Sequence, residues 1–248
     1  RVRATLRRDE VGPYHAQCPR SGAMFMTDSR ASPDIAGRYD AETARHYLKM
    51  HRGSWLRRVS SWREIRLARR ALALAGDPES LLDMPCGTGR FWPMLAATPA
   101  RRLLAGDNSP AMLAAALGNA TPATRARFEV QRMDAFALPL ADGAVDHVLC
   151  MRLLHHFAAP ADRLRILREI HRVARTGATV SIWVDGNLQS WRRRIQERRR
   201  APDFPPNRIV VPRAIFEAEL AEAGFGIRGR LDVLRGIGKR RLYVLDRS

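Results

Sequence analysis

The sequence predicts an open α/β sheet with helices on both faces, and three observations carry that expectation. Residues 81–90, Leu-Leu-Asp-Met-Pro-Cys-Gly-Thr-Gly-Arg, read as a short apolar strand that ends in an acid and turns through glycines into a helix. A second apolar strand, Arg102–Gly106, delivers Asp107, which stands 20 residues after Gly87. At that offset an acid in such a sheet can hold two ribose hydroxyls. The alternation of strand and helix then recurs as far as residue 185.

The elements follow in order. Residues 34–74 read as helical, because Tyr47-Leu48, Trp55-Leu56, Val59, Trp62, Ile65, Leu67 and Ala71-Leu72 recur at spacings of three and four. In the turn after the first strand, Gly87 and Gly89 have no Cβ and let a ligand approach the backbone, while the helix beyond offers unpaired N–H groups. Pro85 removes one donor and leaves binding to later residues. Ser109-Pro110 opens a helix as N-cap and first residue, and Gly118 closes it. Arg127–Met133 alternates Phe128, Val130 and Arg132 with Arg127, Glu129 and Gln131 before ending at Asp134.

Ala144–Cys150 reads as a fourth strand, with Arg152-Leu-Leu-His155-His156-Phe157 leading into a helix. A fifth strand is expected over Ala178–Val184, after a turn at Thr176-Gly177-Ala178, and Pro202, Pro205 and Pro206 mark a loop. Val211-Pro212 then starts a helix with Ile215, Phe216, Leu220 and Ala223 on one face, ended by Gly224. Ile227–Leu234 and Arg241–Leu245 close the sheet as a strand pair joined near Gly236-Ile-Gly238.

Three motifs together resemble the class I S-adenosylmethionine-dependent methyltransferases, most closely the type 11 group that includes ubiquinone- and menaquinone-biosynthesis enzymes. They are Asp83-Met-Pro-Cys-Gly-Thr-Gly89; Asp107 with Asn108-Ser109-Pro110-Ala-Met112; and Asp134-Ala-Phe-Ala-Leu-Pro139 running through Asp146 into Leu153-Leu-His155-His156. Leu167-Arg-Glu169-Ile-His-Arg172 resembles the helix before the family's fifth strand. Two departures stand out: Pro85 where the family usually has glycine, and Thr176-Gly177-Ala178 in place of a Pro-Gly-Gly turn. A dinucleotide-binding dehydrogenase is disfavoured, because Trp92 occupies the place of that fingerprint's third glycine.

The resemblance implies a Rossmann-like, seven-stranded, mostly parallel sheet whose last strand is antiparallel. It divides the chain into a tail over 1–26, a helical segment over 27–76 that covers the cofactor, and a methyltransferase domain over 77–248 with a basic insertion at 186–210. S-adenosylmethionine is the implied cofactor. Asp83 would anchor its amino group, and the turn with Pro85, Cys86, Gly87 and Gly89 would support the methionine portion. Asp107 would bind the ribose, Asn108 would sit near the adenine, Asp134 would accept from the adenine amino group, and Ala135 and Phe136 would flank the ring. Met151 matches the place where a backbone carbonyl meets the ammonium, and Tyr39 and Tyr47 could close over the cofactor. On the acceptor side, Arg152, His155 and His156 follow the fourth strand, where a histidine can act as general base near neutral pH.

Composition narrows the rest. The formal net charge is +18, nearly all of it from arginine, and the densest cluster is Trp191-Arg-Arg-Arg194 with Arg198-Arg-Arg200. Such a charge attracts anions in general. A small molecule, lipid or glycolipid headgroup is the leading acceptor class, with anionic character allowed by these arginines, and an RNA acceptor is the alternative. A methyltransferase-like binding module without activity is the other alternative. The Asn/Asp-Pro-Pro-Tyr/Phe motif of DNA amino-methylating enzymes and the Pro-Cys pair of cytosine C5 enzymes are both missing after strand four, where Cys150-Met-Arg-Leu stands. Cys18, Cys86 and Cys150 give neither a disulfide framework nor zinc spacing, so no metal and a reducing, cytoplasmic setting are expected. No apolar run reaches the roughly 18 residues of a membrane span.

Overall fold

The computed structural model describes residues 55–198 and 209–248. Tyr39, Tyr47, Cys18 and the proline-rich loop around Pro205 lie outside those residues. Seven strands form one sheet in the order β3-β2-β1-β4-β5-β7-β6. They are β1 (Ser80–Asp83), β2 (Arg102–Asp107), β3 (Phe128–Arg132), β4 (Val145–Cys150), β5 (Ala174–Trp183), β6 (Phe225–Asp232) and β7 (Arg240–Arg247). The first five are parallel, and β7 runs antiparallel between β5 and β6. The order reverses between β1 and β4, so the carboxyl ends of those strands flank the crevice where open α/β sheets bind ligands.

Strands β1 and β4 are almost wholly buried, as expected of central parallel strands with helices on both sides. Successive residues serve opposite cores: Leu81, Leu103 and Leu149 share one with Ala68, Ala71 and Leu72 of α1 (Trp55–Leu74), whereas Leu82, Leu104 and Val148 share the other with Ile166 of α5 (Pro160–Val173) and Phe216 of α7 (Arg213–Glu222). The remaining helices are α2 (Trp92–Leu95), α3 (Pro110–Asn119), α4 (Pro122–Arg125) and α6 (Leu188–Arg198). Ser109 caps α3 by accepting from the Met112 N–H at 3.3 Å. The helix runs past Gly118 to Asn119, because the next cap, Thr121 accepting from Thr124, starts α4 instead.

Two expectations fail, the first through a close tertiary approach. Thr176-Gly177-Ala178 is no turn: β5 begins at Ala174, directly after α5. Gly177 is glycine because a Cβ there would stand 1.9 Å from the Leu245 carbonyl oxygen of β7. On α7, Phe216 and Leu220 are buried but Ile215 is 48% exposed.

Charged residues lock the layers. Arg163 of α5 and Glu219 of α7 form a buried bidentate pair, and Arg163 also donates to the Phe157 carbonyl at 2.8 Å. Glu169 and Arg172, from the helix motif before β5, hold the 134–146 loop, accepting from the Leu138 N–H and donating to the Leu138 and Leu140 carbonyls. Asp146 ties the start of β4 to Ser80 and Arg175, far from the crevice.

His147, buried in β4, bonds the Thr179 hydroxyl at 2.9 Å through Nε2. Burial, helped by Arg228 and Arg101, lowers its pKa from 6.5 to about 4. Between those values the unfolded chain binds a proton that the folded protein does not, so this group makes stability fall as pH drops from 6.5 towards 4. We expect unfolding free energies of the native protein and His147→Gln to diverge over that window by roughly 1.4 kcal/mol per pH unit. Parallel pH profiles in urea titrations would contradict the assignment.

Candidate functional site

The crevice is built where the chain leaves β1. Asp83 ends that strand fully buried, and neither of its carboxylate oxygens has a hydrogen-bond partner among the described residues. Burial raises its pKa from 3.8 to about 8; the Arg90 charge pulls it down, Asp107 pushes it up, and the neighbouring Trp92 indole lowers it slightly. A buried carboxyl group of this kind is chemically suited to meet a cationic group.

The turn that follows differs from expectation in where its donors point. The Cys86 N–H donates to the Gly106 carbonyl, Gly87 to Asp107 Oδ2 at 3.0 Å, and Gly89 to the Cys86 carbonyl. These amides fold the turn onto β2, so the turn contributes close backbone approach and those N–H groups are engaged. The helix beyond is a single turn, Trp92–Leu95, and the Trp92 N–H is satisfied by Gly89. Gly87 and Gly89 take φ of +54° and +73°, and a Cβ on Gly89 would lie 3.2 Å from both Ala116 and Trp92. Cys86 is buried, and its thiol pKa is pushed up by burial, with Asp83 and Asp107 adding to it, so it packs as a small apolar group.

Asp107, at the end of β2, is buried and accepts from Gly87 on one oxygen and from the Ser109 N–H at 2.9 Å on the other. Burial raises its pKa and the two backbone donors lower it. Each oxygen keeps a lone pair, so the carboxylate is oriented and can still accept from a vicinal diol. Asn108 beside it is half-buried, and Arg132 donates to its carbonyl and side chain. Asp134 accepts from the Phe136 N–H at 3.0 Å. Ala135 and Phe136 are buried, and the Phe136 ring packs edge-on against Phe157 at 5.2 Å, so its ring is committed to the core. Met151 is buried just past β4.

The residues expected on the acceptor side, Arg152, His155 and His156, have partners the sequence did not show. His155 is buried; its ring stacks on Trp183, at the end of β5, at 4.7 Å and lies tilted against His156 at 4.5 Å. The half-buried His156 is the more accessible of the two. Lys239 Nζ stands 3.8 Å from the centre of the Trp183 ring and the Arg193 guanidinium 5.2 Å from it. Arg152 adopts a φ of +63°, with its N–H donating to Ser181 Oγ at 2.7 Å. Its guanidinium reaches Glu64 of α1 at 2.6 Å. Glu64 is fully buried and also meets Arg90 at 2.7 Å and Arg240 at 3.2 Å. Burial alone would raise its pKa, but the three guanidiniums outweigh that and hold it at about 2.

Arg152, read from sequence as a catalytic candidate, is thus part of a clamp that fastens α1 to the crevice. Glu64 was missed, yet its spacing of four and seven from Ala68 and Ala71 places an acid on the buried stripe of α1. Trp183 and Arg240 carried no local signal, since only the tertiary fold brings them to the crevice.

Among the described residues no cluster of His, Cys, Asp or Glu could hold a metal ion, and no helix is long and apolar enough to cross a membrane. Residues 82–182 match a methyltransferase domain family, type 11. The demethylmenaquinone methyltransferase of Thermus thermophilus is 34% identical over 51% of this chain and 57% of its own length. The tRNA (carboxymethyluridine(34)-5-O)-methyltransferase of Xenopus tropicalis is 27% identical over 74% of this chain and 28% of its own. The chain therefore spans about half or less of the length of these curated relatives. In fold it resembles magnesium protoporphyrin IX methyltransferase from Synechocystis with bound S-adenosylhomocysteine, with a TM-score of 0.71, 14% identity and coverage of 86% of this chain and 98% of that one. The chain carries, over residues 82–182, a class I S-adenosylmethionine-dependent methyltransferase domain of the type 11 group.

Proposed function

We propose that the protein moves the methyl group of S-adenosylmethionine to a small-molecule or lipid-type acceptor lying beyond the carboxyl ends of β4 and β5. The observation that carries this reading is Asp83, a buried carboxylate at the end of β1 without a hydrogen-bond partner among the described residues. It fits the α-ammonium of the cofactor, and Asp107, held by Gly87 and Ser109, fits the ribose diol. Asn108 and Asp134 would border the adenine, Ala135 and Phe136 would meet it through backbone, and Met151 would offer its carbonyl to the ammonium. The glycine turn would pass close to the methionine portion.

When bound, the cofactor supplies a sulfonium methyl already activated for in-line displacement. This chain's residues then position the acceptor, exclude water and, for a hydroxyl or ammonium acceptor, receive a proton. His156 is the candidate to receive it, because the His155 ring is enclosed by Trp183 and His156. Arg152 acts through Glu64 as a positioning residue. Buried free thiols at Cys86 and Cys150 suit a reducing, cytoplasmic setting. The tRNA-methylating relative supports a second reading, an RNA acceptor met by the arginines of α6.

Calorimetric titration of S-adenosylmethionine and S-adenosylhomocysteine, with NAD as control, tests the proposal. Micromolar binding of the first two alone is expected, and Asp107→Ala should weaken it by about 1.5–3 kcal/mol in a folded protein. Equal affinity in that variant would remove Asp107 from the site.

A further inference from the structure

Helix α6 and the β6–β7 turn form one surface. The Leu188 N–H donates to the Gly236 carbonyl at 3.1 Å, Gln189 to Ile237 at 3.0 Å, and Gln189 Oε1 accepts from the Lys239 N–H at 3.4 Å. Leu188 is 43% exposed, Trp191 is 59% and Ile237 is 50%. Leu188 and Trp191 are three apart and share a helix face, while Ile237 sits on the turn that receives the first residues of α6. Single exposed apolar residues need no explanation, but three on two hydrogen-bonded elements make a patch. Its surroundings are basic: α6 carries Arg192 and Arg193 beside Trp191, and the turn adds Arg235 and Lys239.

We propose that this surface docks the protein on an anionic lipid bilayer. An amphipathic, arginine-bearing helix with an exposed tryptophan and aliphatic side chains lies in the headgroup region, with its cations on lipid phosphates and its apolar residues among the acyl chains. Leu188 and Ile237 decide between a bilayer and a nucleic acid. Both attract arginine, and tryptophan can stack on bases, but exposed aliphatic groups gain from the acyl chains of a bilayer and not from a phosphate backbone. The net charge of +18 supplies the complementarity. Docking here brings the bilayer to the side of the crevice where Trp183 meets Arg193 and Lys239. The proposal stands apart from the identity of the methyl acceptor.

The test is co-sedimentation of the full chain with phosphatidylglycerol-containing vesicles and with pure phosphatidylcholine vesicles at about 0.15 M salt. Expected is binding to the anionic vesicles that falls roughly tenfold on pure phosphatidylcholine and roughly tenfold in the Trp191→Ala/Ile237→Ser double variant. Cofactor titration and the unfolding midpoint should stay unchanged, because all the altered groups are exposed. Three results would overturn it: no binding to anionic vesicles; binding that the double variant leaves intact, which is charge adhesion alone; or Trp191-dependent binding of single-stranded RNA that displaces the vesicles, which assigns the surface to RNA.

Discussion

Asp83→Asn should make the cofactor-free protein more stable at pH 7 while largely abolishing cofactor binding. The folded pKa of about 8 lies above the ordinary 3.8, so between those values the folded protein holds a proton that the unfolded chain releases. Stability is therefore lost as pH rises from 3.8 through 8. The amide carries no such penalty, and a gain of about 2–4 kcal/mol at pH 7, vanishing near pH 4, is expected in urea titrations. A cation beside Asp83 stabilises the carboxylate, so binding below pH 8 should release a proton and tighten as pH rises. Titration in buffers of different ionisation enthalpy reads that release directly. A destabilised Asp83→Asn at pH 7, or binding without proton release, would show that Asp83 already has a partner.

Glu64→Gln should have the largest destabilising effect. The single carboxylate stands between Arg90, Arg152 and Arg240, and the amide leaves three guanidiniums facing one another. Removing one partner of a buried charge cluster typically destabilises by about 3–5 kcal/mol. Because Arg90 follows the glycine turn and Arg152 follows β4, cofactor affinity should fall as well. Loss of stability with normal cofactor affinity would confine the clamp to holding α1. An unchanged unfolding midpoint would mean that the cluster contributes nothing net.

The parts of the fold legible in the sequence are those whose burial is two-sided. β1, β2 and β4 are apolar runs because helices cover both faces, and the acids that end β1 and β2 mark the crevice. What local pattern could not show depends on distant neighbours. Gly177 looks like a turn residue until the Leu245 backbone is set against it. Val59 and Trp62 fall at helical spacing yet point outward, because the buried stripe of α1 runs through Glu64, Ala68 and Ala71. In the site, the acids and glycines were readable, since motif and chemistry coincide at one place in the chain. The engagement of the loop amides, the Trp183–His155 stack and the arginine clamp were not, since each joins residues from separate strands and helices.

The insertion of β7 between β5 and β6 has a consequence for how the chain matures. Arg240, at its first residue, meets Glu64 across 176 positions of sequence, and α1 packs on β7 and β6. Such a long-range closure forms late, because loop entropy must be overcome before the contact returns any stabilisation. During synthesis α1 leaves the ribosome early, whereas β6 and β7, on which it packs, follow only with residues 225–247. The third arginine of the clamp therefore joins Arg90 and Arg152 only once the last strand is in place.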